Sequence, residues 1–92
     1  MIVSFRDKDT AQFFSGADVA RFRAFAGQAS RRLQILDSAT TTQDLAALRS
    51  NRFEALKGDR KGQYSIRINQ QWRICFTFRN GEAHDVEIVD YH

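Results

Sequence analysis

The side chains best suited to chemistry gather in two places. The chain ends Asp90-Tyr91-His92, a carboxylate, a phenol and an imidazole in a row. Imidazole changes charge near neutral pH, so His92 is the natural group to take or give a proton. Asp90 would orient it or stabilise its charged form, and Tyr91 would stack on a base or donate a hydrogen bond. The second place is the middle of the chain. Residues 49–79 carry Arg49, Arg52, Lys57, Arg60, Lys61, Arg67, Arg73 and Arg79 against only Glu54 and Asp59, a local charge of +6. Such groups together could cut RNA without a metal. A base frees the ribose 2′-hydroxyl to attack the adjacent phosphate, and an acid protonates the leaving 5′-oxygen. Cations such as Lys57, Arg67 and Arg73 stabilise the crowded phosphate between them. An Asp-Tyr-His tripeptide has little specificity alone, and a basic stretch is commonly just a solvated face. Whether the groups meet depends on the elements that carry them.

Composition narrows the classes. At 92 residues the chain supports a single domain, residues 1–92, with eight Phe, one Trp and two Tyr to fill its core. The net charge of +3 hides a basic middle and an acidic end, since residues 80–92 hold four carboxylates and no Lys or Arg. That asymmetry points to a polyanionic partner. One cysteine, Cys75, permits no internal disulfide, and no Cys/His cluster has metal-ligand spacing, so neither metal nor cofactor is expected. The lone cysteine predicts a reducing, cytoplasmic compartment; the start lacks the apolar run expected of a signal peptide, and no stretch is long enough to cross a membrane. No phosphate-binding glycine loop or nucleophile elbow is present. Cys75 lacks the setting of a nucleophile, and His84 reads as a surface residue beside a turn.

The elements follow from periodicity. Residues 2–5 read as a short strand, and Asp9 or Thr10 would cap a short helix that turns Phe13 and Phe14 inward and stops near Gly16. Phe22, Phe25, Ala26, Ala29, Leu33 and Leu36 recur at helical steps and form one apolar stripe, with Arg23, Gln28, Arg31, Arg32 and Gln34 off it. Thr41 or Thr42 would cap a further turn of helix through Leu45 and Leu48. From residue 52 the period becomes two. Residues 53–56 form a strand, residues 57–62 a glycine-bounded turn, and Tyr64, Ile66 and Ile68 then alternate with polar neighbours. Trp72, Ile74, Phe76 and Phe78 do likewise. Asn80-Gly81 makes a hairpin turn, and Val86 and Ile88 continue the apolar parity. The fold class is α+β: an N-terminal strand and helices packed on one face of a mostly antiparallel sheet.

Strand parity carries the main inference. To build one core, Ile66 and Ile68 must share a face with Trp72 and Ile74. The shortest loop, Asn69-Gln70-Gln71, then sets Ile68 opposite Trp72 and Arg67 opposite Arg73 on the face away from the helices. Like charges directly opposed in a sheet are destabilising by about 0.2–1 kcal/mol. Two explanations remain open here. Either the face receives an anion such as a phosphate, or Glu87 or Asp85 on the next strand neutralises the pair. Asp90-Tyr91-His92 would end beyond Trp72, near the Arg67/Arg73 end of the sheet, and the residue 57–61 turn could reach the same region.

The sequence resembles HigB-type toxins of the RelE/ParE superfamily over essentially its whole length. The resemblance lies in Ile2-Val3-Ser4-Phe5, in Arg32-Leu33-Gln34-Ile35-Leu36-Asp37-Ser38-Ala39, and in Val86-Glu87-Ile88-Val89-Asp90-Tyr91-His92. Its most specific blocks are Asn51-Arg52-Phe53-Glu54-Ala55-Leu56-Lys57-Gly58-Asp59-Arg60, Gly62-Gln63-Tyr64-Ser65-Ile66-Arg67-Ile68-Asn69 and Gln71-Trp72-Arg73-Ile74-Cys75-Phe76. It implies a ribosome-dependent endoribonuclease that cleaves translated mRNA on the 70S ribosome. It also implies a HigA-like helix-turn-helix antitoxin, through which alone the toxin meets operator DNA. His92, Tyr91 and Asp90 match the family's catalytic cluster, and Lys57 and Arg73 match its basic positions. Glu54 stands where some members have a catalytic histidine, and as a base it would need a cation to offset its charge. The loop before Asn51 lacks the proline-glycine segment of many relatives. Arg60, Lys61, Arg67 and Arg79 become candidate nucleic-acid contacts. A gyrase poison on the same fold, or a module that binds RNA without cutting it, are the competing classes.

Overall fold

The computed structural model describes residues 1–90. Asp7 begins helix α1 (Lys8–Phe14), its side chain accepting from the Thr10 amide. The cap is therefore Asp7, not Asp9 or Thr10. Thr10 is instead buried, and its hydroxyl accepts from the Ile88 amide at 3.1 Å. Phe13 does pack against the core, but Phe14 remains exposed at the surface beside Phe5. The apolar stripe is split between a 3-10 helix (Ala20–Phe25) and α2 (Ala26–Ser38), which together bury Phe22, Phe25, Ala29, Leu33 and Leu36. In α3 (Thr42–Ala47), Leu45 is buried, whereas Leu48 lies past the helix and is exposed.

Thr41 caps α3 reciprocally, its hydroxyl accepting from the Asp44 amide while Asp44 accepts from the Thr41 amide. Hydrogen bonds from Thr40, first from its amide and then from its hydroxyl, hold the Asp44 carboxyl below its ordinary value of 3.8, helped by the Thr41 amide. A carboxyl lowered by folding contributes stability above its unfolded value and loses it as pH falls through the folded one. Asp44→Asn is therefore expected to be less stable than wild type at neutral pH. The gap should close as the pH drops from 3.8 through the lowered value, as read from urea midpoints across that range.

The sheet runs in the order β1 (Glu54–Ala55), β2 (Tyr64–Arg67), β3 (Trp72–Arg79), β4 (Glu82–Asp90), all antiparallel. The expected strand over residues 53–56 pairs only at its two middle residues. At the far edge the N-terminal segment lies parallel to β4 through bridges of Ile2 with Ala83 and Phe5 with Val86. The Asn80-Gly81 turn has both residues at positive φ, 54° and 76°, as a two-residue hairpin of this hand requires. One break in parity escapes the pattern. Near the turn Phe78 faces Ala83, whereas further along Ile74 faces Ile88. A bulge between these regions, with Asp85 at φ 53°, absorbs the extra residue, so Ala83, Val86 and Ile88 are all buried. The core lies between the helices and one sheet face, with Phe22, Leu33, Leu36, Ile66, Ile74, Phe76 and Ile88 at its centre.

Candidate nucleic-acid interface

The register between β2 and β3 sets Ile66 opposite Ile74 and Arg67 opposite Arg73, as parity requires. The tight loop is held by Asn69, whose side-chain oxygen accepts from the amides of Gln71 and Trp72 at 2.8 Å each. Its backbone carbonyl accepts from Arg67 Nε at 3.1 Å. Two guanidiniums thus stand side by side on the face away from the helices.

Neither anticipated carboxylate, Glu87 nor Asp85, turns to them. Glu87 bonds Arg60 at 2.9 Å and lies 3.8 Å from Arg6, while Asp85 is exposed at the bulge. Among the described residues an acid reaches the pair from the other side: Glu54 Oε1 lies 3.9 Å from Arg73 Nη2. Arg73 is well anchored, with its side chain 13% exposed. Its Nε donates to the buried Ser65 hydroxyl at 2.8 Å and its Nη2 to the Arg52 carbonyl at 2.6 Å. Arg52 presents that carbonyl because its backbone is left-handed, φ 47° and ψ 49°. A non-glycine residue held there carries about 1–2 kcal/mol of strain, and such strain concentrates at functional sites.

An open cleft of about 530 Å³ lies over these residues, lined by Arg52, Phe53, Glu54, Arg67, Asn69, Gln70 and Arg73. Among the described residues, three guanidiniums against one carboxylate make it electropositive. A planar donor fork suits phosphate oxygens, and a cation beside Glu54 offsets the repulsion between that carboxylate and an anionic substrate. Arg52, Phe53, Asn69 and Gln70 were not among the site residues expected from sequence. Only the position of Asn69 and Gln70, in the loop beside the paired arginines, hinted at their place.

The other expected residues fall elsewhere. Lys57 and Lys61 are exposed on the turn around the short 3-10 helix Gly58–Arg60 and are not among the residues lining the cleft. Arg60 bends back over the sheet to Glu87 and Gln63. Arg79 is at the hairpin end of β3, six residues from Arg73 and so about 20 Å along the strand. Asp90 pairs opposite Trp72 and accepts from Gln71 Nε2 at 3.1 Å. That register brings Asp90 to the same end of the sheet as the Arg67/Arg73 pair. Tyr91 and His92 lie outside the described residues. Burial raises the Cys75 thiol above its ordinary value, against a pull from Arg60, which leaves it a poor nucleophile.

Comparison with known proteins accords with this picture. Residues 3–92 match the family model described as the RelE-like toxin of type II toxin-antitoxin system HigB. The chain is 39% identical over 87 residues to toxin HigB-1 of Vibrio cholerae serotype O1, covering 90% of each chain. It is 43% identical over 61 residues to endoribonuclease HigB of Proteus vulgaris, covering 66% of this chain and 65% of that one. In fold it is similar to the YoeB-YefM complex from Staphylococcus aureus, with a TM-score of 0.59 and 17% identity over all of this chain and 98% of that one. No helix among the described residues is long and apolar enough to cross a membrane. The matched family model, the relatives and the strand arrangement agree, and the chain belongs to the HigB-like family of RelE-type toxins of type II toxin–antitoxin systems.

Proposed function

We propose that the chain is a ribosome-dependent, metal-independent endoribonuclease that cuts translated mRNA in the cytoplasm. Its antitoxin would be HigA-like, with a helix-turn-helix fold that alone contacts operator DNA. The observation that carries this reading is the Arg67/Arg73 pair opposed across β2 and β3 at the floor of an electropositive cleft. Arg52, Arg67 and Arg73 outnumber Glu54 among the described residues of the lining, an excess of positive charge suited to an anion, and a phosphodiester of RNA has the matching charge and geometry.

In the reaction a base takes the proton of the 2′-hydroxyl, whose oxygen attacks the phosphorus. The bond to the 5′-oxygen breaks, and that oxygen leaves with a proton from an acid, giving a cyclic phosphate and a 5′-hydroxyl. Arg67 and Arg73 stabilise the charge that builds on the phosphate oxygens, with Lys57 as a further cation. His92 is the principal general acid or base, with Asp90 and Tyr91 in support. Glu54 is the second candidate base, made compatible with the phosphate by Arg73. Lys61 and Arg79, exposed away from the cleft, and Arg60 serve ribosomal RNA, a contact whose strength should fall with salt.

The test is a reconstituted translation reaction followed by mapping of mRNA ends. Wild type is expected to cut only mRNA under translation. Arg67→Gln should cut about tenfold or more slowly. A His92→Ala variant that cleaves at the wild-type rate would remove His92 from the chemistry. Trapped gyrase–DNA breaks with intact mRNA would overturn the whole reading.

A further inference from the structure

Next to the cleft lies a second basin of similar size, about 540 Å³, lined by Ala46, Leu48, Arg49, Ser50, Arg52 and Phe53. Arg52 and Phe53 line both, so the two adjoin across these side chains. Among the described residues, the lining of the second basin holds two guanidiniums and no carboxylate. It also exposes an apolar shelf, since Leu48 is 42% accessible on a surface with few large hydrophobic residues in the open. Phe53, the shared wall, is held in place by stacking on Tyr64 with ring centres 5.2 Å apart.

The basin is rigidly mounted. Its outer wall is a single 3-10 turn, Arg49–Asn51, closed by the Arg52 amide donating to the Arg49 carbonyl at 3.0 Å. Asn51 is fully buried beneath it. Its side-chain amide donates to the Leu45 carbonyl at 3.0 Å and its oxygen accepts from Arg32 Nη1 at 2.7 Å. The turn is thus tied to α3 on one side and to α2 on the other before any ligand arrives. Preformed cations beside flat apolar surface are what a single nucleic-acid strand requires, because phosphates take the charge and bases of any identity take the shelf. An acidic peptide would use the arginines but has no general use for the shelf.

We propose that this basin is a flanking-nucleotide subsite. It takes the RNA residue next to the linkage held at Arg67 and Arg73, with Arg49 and Arg52 on its phosphate and Leu48 and Phe53 against its base. The proposal rests on the reading of the main cleft as an RNA site, and it assigns Arg49 and Leu48 a role in substrate grip rather than in bond cleavage.

The experiment measures binding of 2′-O-methyl oligonucleotides, which cannot be cut, by fluorescence anisotropy at several salt concentrations. Lengths run from about two to about six nucleotides, spanning one basin to more than both. Wild type is expected to gain about tenfold in affinity once the strand is long enough to enter the second basin. Arg49→Gln, at an exposed position, should abolish that gain while binding the shortest strand as wild type does. Its salt slope with the longer strands should fall by about 0.7. Leu48→Ala should remove a smaller part of the gain without changing the slope. An undiminished gain in Arg49→Gln overturns the subsite, even if mRNA cleavage in translation proceeds as proposed. So does a variant that keeps the gain but binds the antitoxin more weakly, which would give the basin to the protein partner. Failure of wild type to bind any length overturns it as well. Loss of the gain in Arg49→Gln supports the subsite even if the protein cuts no RNA, in which case only the proposed reaction falls.

Discussion

Arg73→Ala is expected to slow mRNA cleavage in a translation reaction by about 10²–10³-fold, the scale on which enzymes lose rate when one preorganised donor to transition-state charge is removed. Arg73 is prepared for that task as few surface arginines are. Its Nε is tied to Ser65 and one terminal nitrogen to the Arg52 carbonyl, so the guanidinium plane is fixed before a phosphate arrives. Fixed donors need no reorganisation during the reaction, and that is the source of their effect. Arg73→Lys should recover part of the loss. It keeps the charge but not the planar fork that meets two oxygens at once. The substitution also leaves the buried Ser65 hydroxyl without a donor, so Arg73→Ala should lose about 1–3 kcal/mol of stability. Single-turnover cleavage rates, taken where urea titration shows each variant folded, separate the two effects. A rate within a few-fold of wild type would remove Arg73 from the site.

Phe22→Ala carries the largest expected effect on stability, about 3–5 kcal/mol. Phe22 is 0% exposed and meets three other rings, Phe13 and Trp72 edge-on at 5.5 and 6.0 Å and Phe25 at 6.0 Å. Domains of this kind have only about 5–15 kcal/mol in total. Thermal unfolding should therefore shift down by more than about 10 °C. Phe22→Leu, which leaves a smaller void, should lose about a third as much. The consequence reaches the cleft, because Trp72 packs on Phe22 and precedes Arg73 in β3. A Phe22→Ala protein with a melting temperature close to wild type would mean that the aromatic cluster is not the keystone of the helix–sheet contact.

Much of this arrangement can be read along the chain. The opposition of Arg67 and Arg73 needs only the two-residue period of the strands and the length of Asn69-Gln70-Gln71, and both are local. The same is true of the Asn80-Gly81 hairpin, of the stripe from Phe22 to Leu36, and of Thr41 as a cap. Each depends on residues within a turn or a hairpin of one another, where a side-chain period or a permitted backbone angle leaves few choices.

Other features required the whole fold. The bulge at Asp85 exists because one hairpin must bury Ala83 near its turn and Val86 and Ile88 further on, a conflict visible only once the core has a position. Glu87 turned to Arg60 instead of to the paired arginines, since side chains from the residue 57–62 turn fold over the sheet. Arg52 entered the site through its carbonyl, in a left-handed conformation that no residue type announces. Composition and period determine which face a residue prefers. Partners separated by tens of residues are chosen by distance in the folded state, and that distance is a property of packing that no local pattern contains.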